Sequence, residues 1–225
     1  MSAAVIIVAA GQGRRFSSRV PKQFLDLNGK PVFLWSVLAF KKIKEFRQII
    51  VVVPKRYVSR FRSYEKKRSF EVTAGGKERY DSVMAGLKKV NSGIDYVAIH
   101  DAARPLITKA VIARCLSEAK RSGAALVAVA AKDTVKMAKD GLRVKKTIPR
   151  NTVWLAQTPQ IFNKNLLVKA YSRKFAPSIT DDAQAVENMG KKVKIVPGSY
   201  SNLKITEPLD LKIAALLLKK DRIKN

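Results

Sequence analysis

Residues 2–22, SAAVIIVAAGQGRRFSSRVPK, run from β-forming residues straight into a segment with two glycines, Gly11 and Gly13, then arginines and a closing lysine. The apolar run at 5–8 reads as a strand buried on both faces, because consecutive apolar side chains leave neither face for water. Placed centrally in an open parallel sheet, such a strand delivers the following loop to the carboxyl edge, where these sheets bind ligands. Glycines there let backbone N–H groups approach a phosphate chain, and the basic side chains neutralise it. The dinucleotide fingerprint is excluded, since Phe16 stands where its third glycine belongs, and no Gly-Lys-Ser/Thr closes a Walker loop. The stretch therefore reads as a phosphate cradle of a third kind. The alternative is a glycine turn with incidental arginines.

Outward from this strand the same rhythm repeats. Strand-like runs at 49–53, 71–73, 96–99 and 125–129 alternate with helical patterns near 32–40, 57–67, 78–90 and 109–121. That alternation predicts an α/β, Rossmann-like fold, a mainly parallel twisted sheet flanked by helices. The rhythm breaks at 134–147, TVKMAKDGLRVKKT, where Asp140-Gly141 between extended runs signals a hairpin with a type I′ turn. It is read as a projecting β-arm at about 134–150, with an ordinary edge hairpin as the alternative. Helices follow at 164–173 and after Thr180-Asp181-Asp182, with Thr180 as the expected cap, two aspartates at the positive dipole end and Gly190 as the stop. A strand at 193–196 and a helix from Pro208 complete a single domain spanning 1–225.

Composition bounds the function. The chain has 225 residues and 47% hydrophobic content, with no Pro/Gly/Ser-rich linker, which suits one folded domain. Cys115 is the sole cysteine, so neither an internal disulfide nor a cysteine-rich zinc site is available. The apolar N-terminal run lacks a basic leader and no run of about 18 apolar residues occurs, so a cytoplasmic protein without membrane attachment is expected. Lys and Arg number 45 against 17 Asp and Glu, a net charge of +28 that favours phosphate-bearing partners. Much of it falls in runs read as exposed helix faces and a tail, at 41–47, 55–68 and 219–224.

Two further strand ends carry polar chemistry. AGGKERYDSV (74–83) pairs a glycine turn, Gly75-Gly76, with Ser82 just inside a helix, and IHDAARP (99–105) places Asp101 and Arg104 after a strand. Taken singly, the first is a turn and the second a surface ion pair worth little. No Ser/His/Asp or Cys/His set can be assembled around His100, the only histidine, which reads as a structural residue.

With AAGQGRRFSSRVPKQF, GGKERYDSV, IHDAARP, TVWLAQTPQ, SITDDA and SNLKIT in this order, the chain resembles the 2-C-methyl-D-erythritol 4-phosphate cytidylyltransferase family over nearly its whole length. The resemblance implies transfer of a cytidylyl group from CTP to a polyol phosphate in isoprenoid synthesis, with release of pyrophosphate and no protein nucleophile. By motif matching, Arg15 and Lys22 grip the triphosphate, while Arg150 and Lys204 hold the attacking phosphate in line. Ala9, Ala10, Gly11, Gly13, Gly75, Gly76 and Ser82 would surround the nucleotide, with Asp101 and Ala102 near its ribose and phosphates. The acceptor would meet Asp101, Arg104, Thr134, Arg150, Thr158 and Lys204. Mg2+ is implied, held mainly by CTP phosphates with Asp101 as a possible ligand. The family's arm clasps a second subunit, which implies a homodimer with shared sites. The sequence departs from the family pattern at Phe16 and Lys77 and in its overall basicity. A ribitol 5-phosphate cytidylyltransferase stays open as an alternative, and a basic nucleic-acid-binding protein as a remote one that would need a recognition motif, which is not found.

Overall fold

The computed structural model describes residues 1–11, 21–65, 70–139, 141–172 and 179–223, with side chains up to residue 219. The chain begins with β1 (Ala3–Val8), a 3-10 turn (Lys22–Phe24), the short strands β2 (Asp26–Leu27) and β3 (Lys30–Pro31), and α1 (Val32–Lys41). Then come β4 (Phe46–Val53), α2 (Val58–Glu65), β5 (Glu71–Ala74), α3 (Arg79–Leu87), β6 (Tyr96–Asp101), α4 (Lys109–Ser122) and β7 (Ala124–Ala130). The remainder is β8 (Val135–Ala138), β9 (Val144–Ile148), β10 (Trp154–Asn163), α5 (Lys164–Ser172), α6 (Asp182–Glu187), β11 (Lys194–Pro197) and α7 (Pro208–Ile223).

Seven strands form one sheet in the order β11-β7-β10-β6-β1-β4-β5. All run parallel except β10, which is antiparallel to both β6 and β7. The β1 residues alternate between two layers. Ala3, Val5 and Ile7 join Phe33 and Phe40 of α1, Phe61 of α2 and Ile112 of α4 in one core, whereas Ala4 and Ile6 join Val83 of α3, Leu167 of α5 and Val186 of α6 in the other. Burial on both faces is why these strands are continuously apolar. From β1 the chain steps out to β4 and β5 on one side, then returns to place β6 on the other. That reversal opens a crevice beyond the carboxyl ends of β1 and β6.

The arm stands apart. Strands β8 and β9 pair only with each other, antiparallel, from Val135↔Ile148 to Ala138↔Val144. Met137, Leu142 and Val144 are exposed, so the edge-hairpin alternative is set aside. The expected two-residue turn is also corrected: residues 139–143 connect the strands, Gly141 takes the left-handed conformation at φ +79°, and Asp140 lies outside the described residues.

Other expectations shift in detail. Asp181, not Thr180, caps α6: its side chain accepts the Gln184 N–H at 3.0 Å, while Thr180 N–H donates to Gln184 Oε1. Residues 41–47 are not a helix face; the chain leaves α1 through a turn into β4, burying Ile43 and Phe46. Helix α2 starts after a 3-10 turn at Lys55–Tyr57.

Candidate active site

The carboxyl ends of β1 and β6 and the start of α3 open onto one cleft of about 410 Å3, lined among others by Ala9, Gly11, Lys22, Ser82, Asp101 and Lys204. The β1 edge is fixed by backbone pairing on both sides: Ala9 N–H donates to Val52 O and Ala102 N–H to Val8 O. Phe24 then sets the cationic side. Its ring packs 4.2 Å from that of Phe61 and 6.1 Å from that of Phe33, anchoring the Lys22–Phe24 turn to the α1–α2 core. Gln23, buried beside it, donates its amide to the carbonyls of Ala9 and Gly11. Lys22 is thereby held at the cleft, where its Nζ donates to Ile205 O at 2.8 Å.

The Gly75-Gly76 segment is needed for space, since neither glycine has a positive φ. A Cβ on Gly76 would stand 2.2 Å from Asp81 Cβ, and one on Gly75 2.6 Å from Ser82 Oγ. Asp81 belongs to the reciprocal cap of α3 with Glu78, and the buried Ser82 hydroxyl donates to Glu78 O. Gly76→Ala is expected to displace the start of α3 and lower unfolding free energy by about 1–3 kcal/mol. Urea denaturation beside the unchanged protein checks this.

Asp101, at the end of β6, organises the charge. Lys204 Nζ lies 2.9 Å from its Oδ2, Arg104 Nε 3.6 Å from the same atom, and Arg79 Nη2 3.9 Å from Oδ1. Burial alone would push the carboxyl up, but Lys204, Arg79 and Arg104 outweigh it and hold Asp101 well below the usual carboxylate range. Lys204 is docked because Ile205 N–H pairs with Ala103 O at 2.8 Å. The two lysines therefore flank one residue, Lys22 on the Ile205 carbonyl and Lys204 preceding it. Arg104 supports Asp101 from behind, with Nη1 donating to Asn202 O at 2.9 Å.

Behind Asp101 lies a buried relay. His100 Nε2 faces the Arg104 carbonyl at 3.2 Å, so that nitrogen carries the proton. Nδ1 of the neutral ring then accepts from Thr158 Oγ1 at 3.0 Å, and the same oxygen accepts the Asp101 N–H at 3.0 Å. Burial lowers the His100 pKa to about 4 despite the attraction of Asp101. Since a free histidine titrates near 6.5, the unfolded chain takes up this proton first as pH falls. Stability from the neutral ring is present above about pH 6.5 and is lost toward pH 4, by roughly 3 kcal/mol. Denaturation midpoints between these pH values are expected to fall in the unchanged protein and to flatten in His100→Gln.

Of the residues expected here, Ala9, Ala10, Gly11, Lys22, Ser82, Asp101, Ala102 and Lys204 line the cleft. Gly75, Gly76, Arg104 and Thr158 stand immediately behind it. Thr134 and Arg150, at the arm's base, do not line it: Arg150 Nη1 donates to Lys132 O at 2.9 Å and the residue is exposed. Gly13 and Arg15 lie outside the described residues. Sequence reasoning passed over Gln23 and Asn202; it expected a supporting role of unspecified kind for Arg79 and placed Asp182 only at the dipole end of its helix, without foreseeing their pairing, although all four sit within the quoted motifs. Arg79 grips the fully buried Asp182 through two hydrogen bonds of 2.7 and 2.6 Å. Burial opposes the charge on Arg79, but the Asp182 carboxylate overcomes it and raises the Arg79 pKa.

Among the described residues no three His, Cys, Asp or Glu side chains converge as a metal cage, and no helix is long and apolar enough to cross a membrane. A mostly parallel α/β sheet with a lysine-flanked carboxylate at its switch point defines a Rossmann-like protein suited to polyphosphate ligands. Residues 3–220 match the family model IspD, 2-C-methyl-D-erythritol 4-phosphate cytidylyltransferase. The chain is 50% identical over 219 residues to the enzyme of that name from Endomicrobium trichonymphae, covering 97% of this chain and 100% of the relative. It is 41% identical to that of Bacteroides fragilis, covering 97% and 100%. Among solved structures, 4-diphosphocytidyl-2C-methyl-D-erythritol synthase from Anaerococcus prevotii superposes with a TM-score of 0.86 at 29% identity, covering 97% of this chain and 98% of that one. The Thermus thermophilus cytidylyltransferase gives 0.82 at 33%, covering 97% and 100%. The chain belongs to the 2-C-methyl-D-erythritol 4-phosphate cytidylyltransferase family.

Proposed function

We propose that this protein transfers the cytidylyl group of CTP to 2-C-methyl-D-erythritol 4-phosphate. A phosphate oxygen of the acceptor bonds to the α-phosphorus as the bond to the bridging oxygen of pyrophosphate breaks, giving 4-diphosphocytidyl-2-C-methyl-D-erythritol and pyrophosphate. The observation that carries this reading, beside family membership, is the grouping of Lys22, Lys204 and Asp101 at the sheet's switch point. Two anions must be brought together there, and fixed cations lower the cost of doing so.

Each residue's task follows from its surroundings. Lys22, tethered to Ile205 O, is a compact charge for the triphosphate. Lys204, aimed by Asp101 at 2.9 Å, meets the acceptor phosphate. Ser82 donates to Glu78 O and so presents its lone pairs to the cleft, where they can accept from the cytosine amino group. Arg15 is assigned to the triphosphate by its motif alone. A divalent cation fits the donor set, because Mg2+ takes one or two carboxylates plus substrate phosphates. The CTP phosphates would hold most of it, with Asp101 as the candidate protein ligand at the cleft, and the ion would neutralise phosphate charge when bound.

The arm completes the picture as a dimerisation element. Its separate sheet, its exposed Met137, Leu142 and Val144, and the position of Thr134 and Arg150 away from their own cleft suit delivery of those residues to the cleft of a second copy. A cytoplasmic setting accords with the free, buried Cys115, whose thiol burial pushes up to about 12.

The test is pyrophosphate release with CTP and Mg2+, offering 2-C-methyl-D-erythritol 4-phosphate and ribitol 5-phosphate separately. Turnover confined to the first acceptor is expected. Turnover confined to the second would overturn the acceptor and retain the CTP site.

A further inference from the structure

Beyond the charge that Arg79 presents to Asp101, Arg79 and Asp182 have no part in the roles above, yet the Asp182 side of their ion pair is closely held. Asp182 is the first residue of α6 and Arg79 the first of α3. The Tyr171 hydroxyl donates to Asp182 Oδ1, and the Tyr171 ring stacks on Tyr80 with centroids 5.0 Å apart. Gln160 of β10 fixes the start of α6 at two points, donating to Asp181 Oδ2 at 2.8 Å and accepting Ala183 N–H at 2.9 Å. The Asp182 carboxylate is therefore immobile, and the guanidinium it grips is too.

The same Nη2 that donates to Asp182 Oδ2 also faces the cleft, 3.9 Å from Asp101 Oδ1, within ion-pair range but beyond hydrogen-bond distance. Asp101 is the carboxylate that aims Lys204. A guanidinium satisfies a carboxylate best through two parallel hydrogen bonds, and Asp182 already supplies that arrangement. Without the Asp182 charge, the nearest carboxylate available for a two-point grip is Asp101. Arg79 would close that gap and compete with Lys204 for the same group.

We propose that Asp182 is a positioning residue for the transfer: its two-point grip on Arg79 holds that guanidinium 3.9 Å from Asp101, short of a hydrogen bond, and leaves the closest contact on Asp101 to Lys204. The inference rests on the reading of Lys204 as the holder of the acceptor phosphate.

The test uses Asp182→Asn, which keeps the shape and an acceptor for Tyr171 while removing the charge, with Asp182→Glu, Arg79→Gln and the double variant Asp182→Asn/Arg79→Gln. Asp182→Asn is expected to raise KM for the acceptor about tenfold and to leave KM for CTP within about twofold. Asp182→Glu recovers most of the loss. Removing the intruding cation in the double variant returns the acceptor KM to within about threefold of the unchanged protein, a rescue that a merely structural role would not give. A crystal structure of Asp182→Asn is expected to show Arg79 at hydrogen-bond distance from Asp101. An unchanged acceptor KM in Asp182→Asn, or a double variant no better than the single one, overturns the proposal. So does a tenfold rise in Arg79→Gln alone, which is read even where Asp182→Asn fails to fold. Lys204→Ala in the same assay separates the two readings. If it leaves the acceptor KM unmoved, the role of Lys204 fails, while the Arg79 to Asp101 distance still reports on the grip.

Discussion

Lys204→Ala is expected to lower kcat/KM for the acceptor by about a thousandfold while hardly changing the stability of the fold. The side chain is 43% exposed and pairs with Asp101 at the cleft, not inside the core. A partly exposed ion pair contributes little to folding, about 1 kcal/mol or less. Its loss also leaves Asp101 with Arg104 at 3.6 Å and Arg79 at 3.9 Å as counter-charges. In the proposed mechanism, what the variant lacks is the ammonium group that meets the attacking phosphate, whose alignment sets the rate. Lys204→Arg is expected to recover only part of the activity, since a planar fork cannot reproduce a compact charge at 2.9 Å from Asp101. Steady-state kinetics beside thermal melts check both statements. A Lys204→Ala protein with normal kcat/KM would remove the residue from the mechanism.

Asp101→Asn is expected to damage folding and activity together. The side chain is 12% exposed and faces Lys204, Arg104 and Arg79. Arg104 has only 11% side-chain exposure and no other described carboxylate within salt-bridge distance, so the neutral amide leaves a buried cation uncompensated. Breaking a buried pair in this way costs about 3–5 kcal/mol. The amide also points an N–H donor at groups that are donors themselves, which releases Lys204 from its aimed position and lowers turnover by about a hundredfold or more. Urea denaturation reads the first effect and pyrophosphate release the second. Unchanged stability would show that Asp101 does not organise the cleft.

The parts of the fold legible in the sequence were those where one physical preference dominates. VIIV and IIVVV announce strands covered on both faces, and Asp140-Gly141 announces a hairpin even though the observed connection is longer. Strand β10 was missed for the opposite reason. Its centre, QTPQ, holds a proline and three polar residues, and pairing with β7 slips between Ala156 and Gln160. Those polar groups are tolerated in the core because each is partnered: Gln157 with Ser199 and Asn202, Thr158 with His100 and Asp101, Gln160 with Asp181 and Ala183. The β2–β3 hairpin was overlooked although Asn28-Gly29, both at positive φ, carries the turn signal. At the site, Lys22, Ser82, Asp101 and Lys204, singled out from separate motifs, line one cleft. Contacts across the chain were invisible, since nothing local in Arg79 or Asp182 states that two residues 103 positions apart form one buried pair.

The central claim is a single direct displacement at the α-phosphorus, arranged by cations and without a covalent enzyme intermediate. The most direct measurement is the stereochemical course of the reaction with one diastereomer of CTP bearing sulfur at the α-phosphorus. One in-line attack inverts the configuration, and inversion in the cytidylyl product is the predicted result. Net retention would mean two displacements through a covalent cytidylyl-enzyme, and would contradict the account.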